Sequence, residues 1–553
     1  MLASPAMRRR VRACILLAFP LLLGLSASRA LAPEGGEVGP GREQPPALPG
    51  GEIRVPRDAT TIQAAVDAAQ PGGIVLISPG VYEESVVVRT PFLTIRGLDR
   101  NGVILEGGFR LGNGIEVVEA DGVAIENLTA RHYLSNGFVW RTVFGYRGSY
   151  LTAYNDGGYG LFAFDSVFGQ FDHSYASGHP DSGLDVGECY PCHAVVNDVL
   201  AENNAVGFSG TNAGGDLRIV NSEWRDNLAG IVPSTLDSQE AAPQRDALVA
   251  GNWVHDNNKA DAPASDLEYP LLGIGVVVNG GRHNVVTQNL VEDHVRFGIA
   301  LLASPDESLW LTQDNEIRAN VVRHSGEADL ALGAPSAGGD CFADNDFGSS
   351  LPPAIEWRAG CGSPLARIPG GSVGAVVGPL ERRMSASFGD VDVGDWRSQP
   401  PPPPQPQMPG ARSAPPDPAI AEVAVPEAVV IRDARTLEVP ASSDIHQEVT
   451  VLGVSLATGW WGVLVGLYAY ALPLILYSAW VSIALWDVVR QEAVPNRTRI
   501  LWMLVVLVVP LLGPIAYYAF GRSPIQRSLR VMLVAGGLAI YAALTVLALA
   551  VGA

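Results

Sequence analysis

Lysine is nearly missing from this chain. Lys259 is the only one in 553 residues, and Asp and Glu outnumber Lys and Arg by 57 to 37, for a net charge of −20. The imbalance is uneven. Residues 1–32 hold five arginines and no acid, and residues 450–553 hold six arginines against two acids, which leaves −29 on residues 33–449. A body of that charge excludes capture of nucleic acid through its phosphates, because that needs clustered Lys and Arg. It also disfavours simple electrostatic capture of a polyanion unless a basic patch or a bridging cation intervenes. Cysteine is scarce as well, with five in all. Cys14 lies in the N-terminal signal segment. Cys189, Cys192, Cys341 and Cys361 remain, an even number that permits two bridges, and the sequence-local pairing is Cys189–Cys192 and Cys341–Cys361.

Glycine is abundant and regularly placed. Gly137, Gly160, Gly183, Gly207 and Gly230 follow one another at 23, 23, 24 and 23 residues, each ahead of an apolar residue: Phe138, Leu161, Leu184, Phe208 and Ile231. A period in the low twenties is one coil of a solenoid. Asn and His recur at a second phase, at Asn127, His173, Asn197, Asn221, Asn252, Asn289 and Asn320. They read as turn ladders whose stacked amides satisfy one another between coils. The short Val/Ile-rich segments between read as strands. The predicted architecture is an all-β right-handed parallel β-helix ectodomain followed by C-terminal α-helical transmembrane segments. About a dozen coils at strand spacing give a stack of order 60 Å.

The ends carry other signals. Residues 1–32 read as a signal peptide, with "MRRRVR", an apolar stretch and Ala30-Leu31-Ala32. Whether it is cleaved or kept as an anchor, the body is placed outside the cytoplasm, where disulfides form. Residues 33–50 are a Pro/Gly-rich mobile leader. The β-helix is assigned to 51–364 and opens with a short capping helix ending at Ala69, for which Asp58 or Thr60 is the expected cap and Ile62, Ala65, Val66 and Ala69 the buried face. Insertions at 233–248 and 258–270 are expected side loops. Residues 365–449 form a Pro-rich linker, a polyproline-type spacer holding the body away from the C-terminal region. Residues 450–553 are a membrane domain with three spans, 463–486, 500–520 and 531–552. An odd number of spans leaves the C-terminus in the cytoplasm.

Two resemblances extend this. Ile62-x-Ala64-Ala65-Val66-x-x-Ala69, then Pro71-Gly72-Gly73 and Pro79-Gly80-Val81-Tyr82, resemble the start of exported pectin-lyase-like and NosD-like β-helix proteins. The resemblance implies the fold and leaves the chemistry open, since that fold hosts lyases, hydrolases, esterases, epimerases and pure binders. The Gly-His-Gly and paired Asp-Asp motifs of β-helix enzymes are missing. Pro510-Leu511-Leu512-Gly513-Pro514, Tyr517 and Gly521-Arg522 resemble the N-terminal membrane hairpin of phospholipase D-type cardiolipin synthases. Their catalytic pair needs His-x-Lys, and the only lysine has Asn257 two positions before it, so phospholipid transfer is excluded and the hairpin reads as an anchor.

Three constellations bear on chemistry. With Phe138, Leu161, Leu184 and Phe208 inward, alternation sends Val139, Phe162, Asp185 and Ser209 outward, then Arg141, Phe164, Gly187 and Thr211. Phe162, Phe164 and Ser209 are the candidate substrate contacts; an aromatic-stacked core with a phase slip is the competing reading. The second constellation is His179, Asp181 and Asp185. Paired carboxylates serve as general acid and base, or hold Ca²⁺, and Arg141 is the nearby basic candidate. Against this, Asp156 lies 23 residues before His179, so His179 and Asp181 also fit a turn. The third is Cys189-Tyr-Pro-Cys192-His193, a match to the c-type haem attachment pattern as well as to a disulfide turn. No resident cofactor or metal is assigned. The expected partners are a carbohydrate polymer and a lipid bilayer, with the β-helix on the extracytoplasmic side of a cell membrane. The candidate activities are polysaccharide lyase or glycoside hydrolase, against carbohydrate binding alone and a NosD-like scaffold or metal-delivery role.

Overall fold

The computed structural model describes residues 51–238, 240–264, 268–379, 393–415 and 430–437, helices Asn496–Val508 and Leu512–Phe520, and scattered positions between 450 and 535. Three parallel sheets of 12, 11 and 11 strands build the body, and from strand Ile74–Ile77 onward the chain visits the three in turn, coil after coil. Each coil therefore lays one strand on each face, the arrangement of a parallel β-helix. The first face runs from Glu52–Val55 to Cys341–Ala343, the second from Val86–Val88 to Ser350–Leu351, and the third from Gly80–Tyr82 to Asp346–Phe347.

The glycine period has a steric cause. A Cβ on Gly137 would lie 2.8 Å from the Gly160 carbonyl oxygen, one on Gly160 2.6 Å from that of Gly183, and one on Gly207 2.8 Å from that of Gly230. The backbone of the next coil occupies the space a side chain needs. One residue on, Phe138, Leu161, Leu184, Phe208, Ile231, Val276, Ile299 and Leu330 pair in register and are fully buried. This row extends the sequence-derived series by three coils.

The asparagines divide into two kinds. Asn252, Asn289, Asn320 and Asn345 form an internal ladder, in which each side-chain oxygen accepts from the backbone and side-chain nitrogens of the preceding rung. Glu356 of a short terminal helix accepts the last two bonds and closes it. Asn127, Asn155 and Asn221 instead occupy left-handed corner turns, with φ of 58°, 55° and 51°. Asn is tolerated there because its short polar chain offsets the Cβ clash.

Helix Ile62–Ala68 covers the first coil and buries Ile62, Ala65 and Val66. Thr61, not Asp58 or Thr60, is its cap, accepting from Ala64 at 3.1 Å. Glu84 takes the orphan amides of Ile62 and Gln63, both at 3.0 Å, as a carboxylate at a helix N-terminus does. Both local disulfides are formed, Cys189–Cys192 and Cys341–Cys361.

The Pro-rich stretch is not a stand-off spacer over residues 393–415. It lies along the body: the Trp396 ring meets Phe109 edge-on at 5.4 Å, and Arg100 donates to the Pro406 carbonyl at 3.0 Å. Farther on, among the described residues, no helix is long and apolar enough to cross a membrane. The expected spans 463–486 and 531–552 lie almost wholly outside those residues, as do the signal peptide 1–32 and the leader 33–50. Within 500–520, the described residues belong to helices Asn496–Val508 and Leu512–Phe520.

Candidate functional site

The site is built on the outer side of the second face. Strand Phe138–Arg141 pairs with Leu161–Phe164, which pairs with Ser182–Gly187, which pairs with Val206–Thr211. Their register places Val139, Phe162, Asp185 and Ser209 in one row across the coils. Phe162 and Ser209 thus flank Asp185 directly, one strand away on each side. Phe162 is half-buried and stacks on Tyr159, ring centroids 4.3 Å apart; Phe164 stands 5.7 Å from Phe162 on the same outer face. The buried aromatics are a different set: Trp140, Tyr146 and Phe171 cluster inside the coils. The outward assignment of Phe162 and Phe164 therefore needs no phase slip.

Asp185 is only 3% exposed, and its Oδ1 has no hydrogen-bond partner. That is a costly state for a carboxylate. Gly187, two residues along the same face, leaves bare backbone beside it, and a Cβ there would sit 3.4 Å from the Asp185 Oδ1. Burial, and then the neighbouring Asp181 charge, hold Asp185 well above the usual carboxylate range. Asp181 is pushed up to about 7 by burial and then by Glu268, while a hydrogen bond from Tyr159 pulls the other way. Burial and the Asp181 and Asp185 charges raise the Tyr159 phenol in turn. The two aspartates lie four residues apart along the chain, Asp181 just ahead of strand Ser182–Gly187, roughly 13 Å between Cα atoms at extended spacing, and the Asp181 charge still acts on Asp185.

Two of the sequence candidates are not brought to this pair. His179 turns inward and is fully buried; its amide donates to Asn204, and its ring lies 3.3 Å from the Asp156 and Ala153 carbonyl oxygens. It is a rung of an internal ladder continued by Asn204, Asn227, Asn257 and His294. Burial lowers it to about 4. Arg141 stays on the outer face two coils away, paired with Glu116 at 3.4 Å and 5.7 Å from the centre of the Phe164 ring. The preceding coil supplies its counter-charge, and Phe164 stands between it and Gly187 in the register.

Sequence reasoning missed Tyr159 and Glu268. Tyr159 falls in the aromatic-rich stretch Phe138–Tyr175, which was the available signal. Glu268 comes from the 258–270 insertion and had none. Beyond Ser209, the outer row continues as Val232, Val277, Ala300 and Ala331, covered by Ala262 and Ala264 of that insertion, by Leu271 and Leu272 just after it and by Ala375. The carboxylates sit where this cover begins.

The haem reading of Cys189-x-x-Cys192-His193 is overturned. Both sulfurs are joined to each other, and His193 stacks on Phe168 and faces Asp216 at 3.3 Å. Among the described residues, the group whose ligand atoms lie close enough for a metal is Glu292, Asp293 and His324. Glu292 is already bonded to Arg323 and Trp253. Asp181 and Asp185 are not in that group.

Residues 479–522 match the family model Phospholipase_D-nuclease N-terminal, a small part of the chain. No curated relative matches the chain in sequence. Three solved structures illustrate the likeness of the body. The first is an alginate lyase from Paenibacillus sp. (14% identity, 54% of this chain and 99% of that one, TM-score 0.37). The second is the catalytic unit of an α-1,3-glucanase from Streptomyces thermodiastaticus (13%, 52% and 60%, TM-score 0.39). The third is a surface adhesin of Streptococcus pneumoniae (12%, 52% and 86%, TM-score 0.33). All three fall below a TM-score of 0.5, and no chemistry transfers from them.

Proposed function

We propose that this chain is a membrane-tethered, extracytoplasmic right-handed β-helix protein that cleaves a polymeric carbohydrate at Asp181 and Asp185. The observation that carries the reading is Asp185: a buried carboxyl with an unpartnered oxygen, flanked by Phe162 and electrostatically coupled to a second carboxyl. Two carboxyls whose environments separate their proton affinities are the usual acid–base pair of glycosidic chemistry. Asp185, buried deeper and facing the Asp181 charge, keeps its proton and donates it to the leaving oxygen. Asp181, ionised above about pH 7 and held by Tyr159, takes the proton from the attacking water. Water is thereby added across the bond, and one chain becomes two. Tyr159 and Phe162 offer faces on which a sugar ring stacks. The two disulfides fit an oxidising compartment, and the apolar C-terminal stretches fit the tether.

The test uses the full chain in detergent with a panel of neutral and acidic polysaccharides, products being followed by mass. Shortened chains that vanish with Asp185→Asn, in a variant that melts as the parent does, support the reading. Turnover unchanged in Asp185→Asn overturns it. The Tyr159–Phe162 stack favours a second reading, carbohydrate binding without cleavage; it predicts retained glycan affinity, no product, and affinity lost in Phe162→Ala.

A further inference from the structure

The Pro-rich segment meets the body with a regular spacing. Along "QPPPPPQPQMP", Gln399, Pro402, Gln405 and Met408 are the covered residues and those between are exposed. A period of three is that of a polyproline II helix with one edge against a surface. Such a helix has no internal hydrogen bonds, so its carbonyl and amide groups are free for a partner.

The body supplies those partners from its turns. Asn155 donates to the Gln399 carbonyl at 2.9 Å. The Asn101 side chain makes a paired contact, donating to the Gln405 carbonyl at 2.9 Å and accepting from the Gln405 amide at 2.8 Å. Asn127 accepts from the Met408 amide at 2.8 Å. Farther on, Asn221 donates to the Val430 carbonyl at 3.0 Å and accepts from the Arg432 amide at 2.6 Å. Four asparagines thus read extended backbone with their amides. Arg100 and Arg96 add contacts to the carbonyls of Pro406, Ala414 and Pro415. At the upstream end, Gly394 donates to Ala262 of the insertion.

We propose that these turns form a docking rail for extended, proline-rich backbone, and that the chain's own segment 393–415, continued at 430–432, occupies it as a clasp. The C-terminal part of the chain is then joined to the body side-on, through the rail, and not only through the peptide bond that leaves the last coil. The rail reads main chain, so its partner is defined by extended, hydrogen-bond-free backbone rather than by charge. This assignment is independent of the carbohydrate reading.

The test places a protease site within 381–392 of the full chain, carrying a C-terminal affinity tag in detergent. After cleavage, the body is expected to co-purify with the tagged fragment. The same cut in a chain with Asn101→Ala, Asn155→Gly and Asn221→Gly is expected to release it. Glycine keeps the left-handed turns at 155 and 221 and removes only the amide. A free peptide of residues 393–415 in excess is expected to release the parent body as well, which separates docking from misfolding of the variant. A parent body that separates on cleavage overturns the proposal. So does a triple variant retained as firmly as the parent.

Discussion

At the scale of single residues, the raised carboxyls make the fold sensitive to pH with a definite sign. A carboxyl whose folded pKa lies above its unfolded value destabilises the fold once the unfolded form ionises. Asp181, at about 7, therefore costs nothing near pH 4 and progressively more up to pH 7. Asp181→Asn is expected to leave the melting free energy unchanged at pH 4 and to raise it at pH 7 by roughly 1–2 kcal/mol after allowance for solvent, read from denaturant titrations at the two pH values. In catalysis the same group works in the other direction: turnover should fall as pH drops through about 7, because the base then holds its proton. His255 behaves oppositely. Burial opposes its charge, yet hydrogen bonds to Asp256 and Glu223 raise it to about 9. Its contribution is complete below the ordinary imidazole range and is lost as pH rises through about 9. His255→Gln is expected to cost about 1–3 kcal/mol at pH 6 and little at pH 10.

At the scale of elements, the coils hold together through ladders that one substitution interrupts. Asn289 accepts from both nitrogens of Asn252 and donates to Val249 and Asn320. Asn289→Ala strands those buried groups, and the expected loss is roughly 2–4 kcal/mol, measurable as a lowered denaturation midpoint. The period of these rungs was legible in the sequence because every coil repeats the same local geometry. Their division was not. Asn252 and Asn221 belong to the same sequence series, yet one faces the interior and the other a strap of distant chain. His179 shows the same limit: neighbouring acids suggested a site, while the ladder continued by Asn204 claims it for the inside.

At the scale of the whole molecule, the sequence alone determined the coiled architecture, its inward row, the helix on its first coil and the two disulfide pairs. Each follows from short-range rules: alternation along a strand, the space denied to a Cβ by the next coil, and the proximity of cysteines within one turn or one coil. The outward row of Phe162, Asp185 and Ser209 followed from the same alternation. Tertiary structure alone decided what meets that row. The charge of Glu268, from an insertion outside the period, acts on Asp181, Arg141 is claimed by Glu116 on the preceding coil, and residues 393–415 fold back onto turns that no repeat connects to them. Such contacts depend on how non-repeating segments pack against a repeating surface, and a periodic pattern carries no information about that packing.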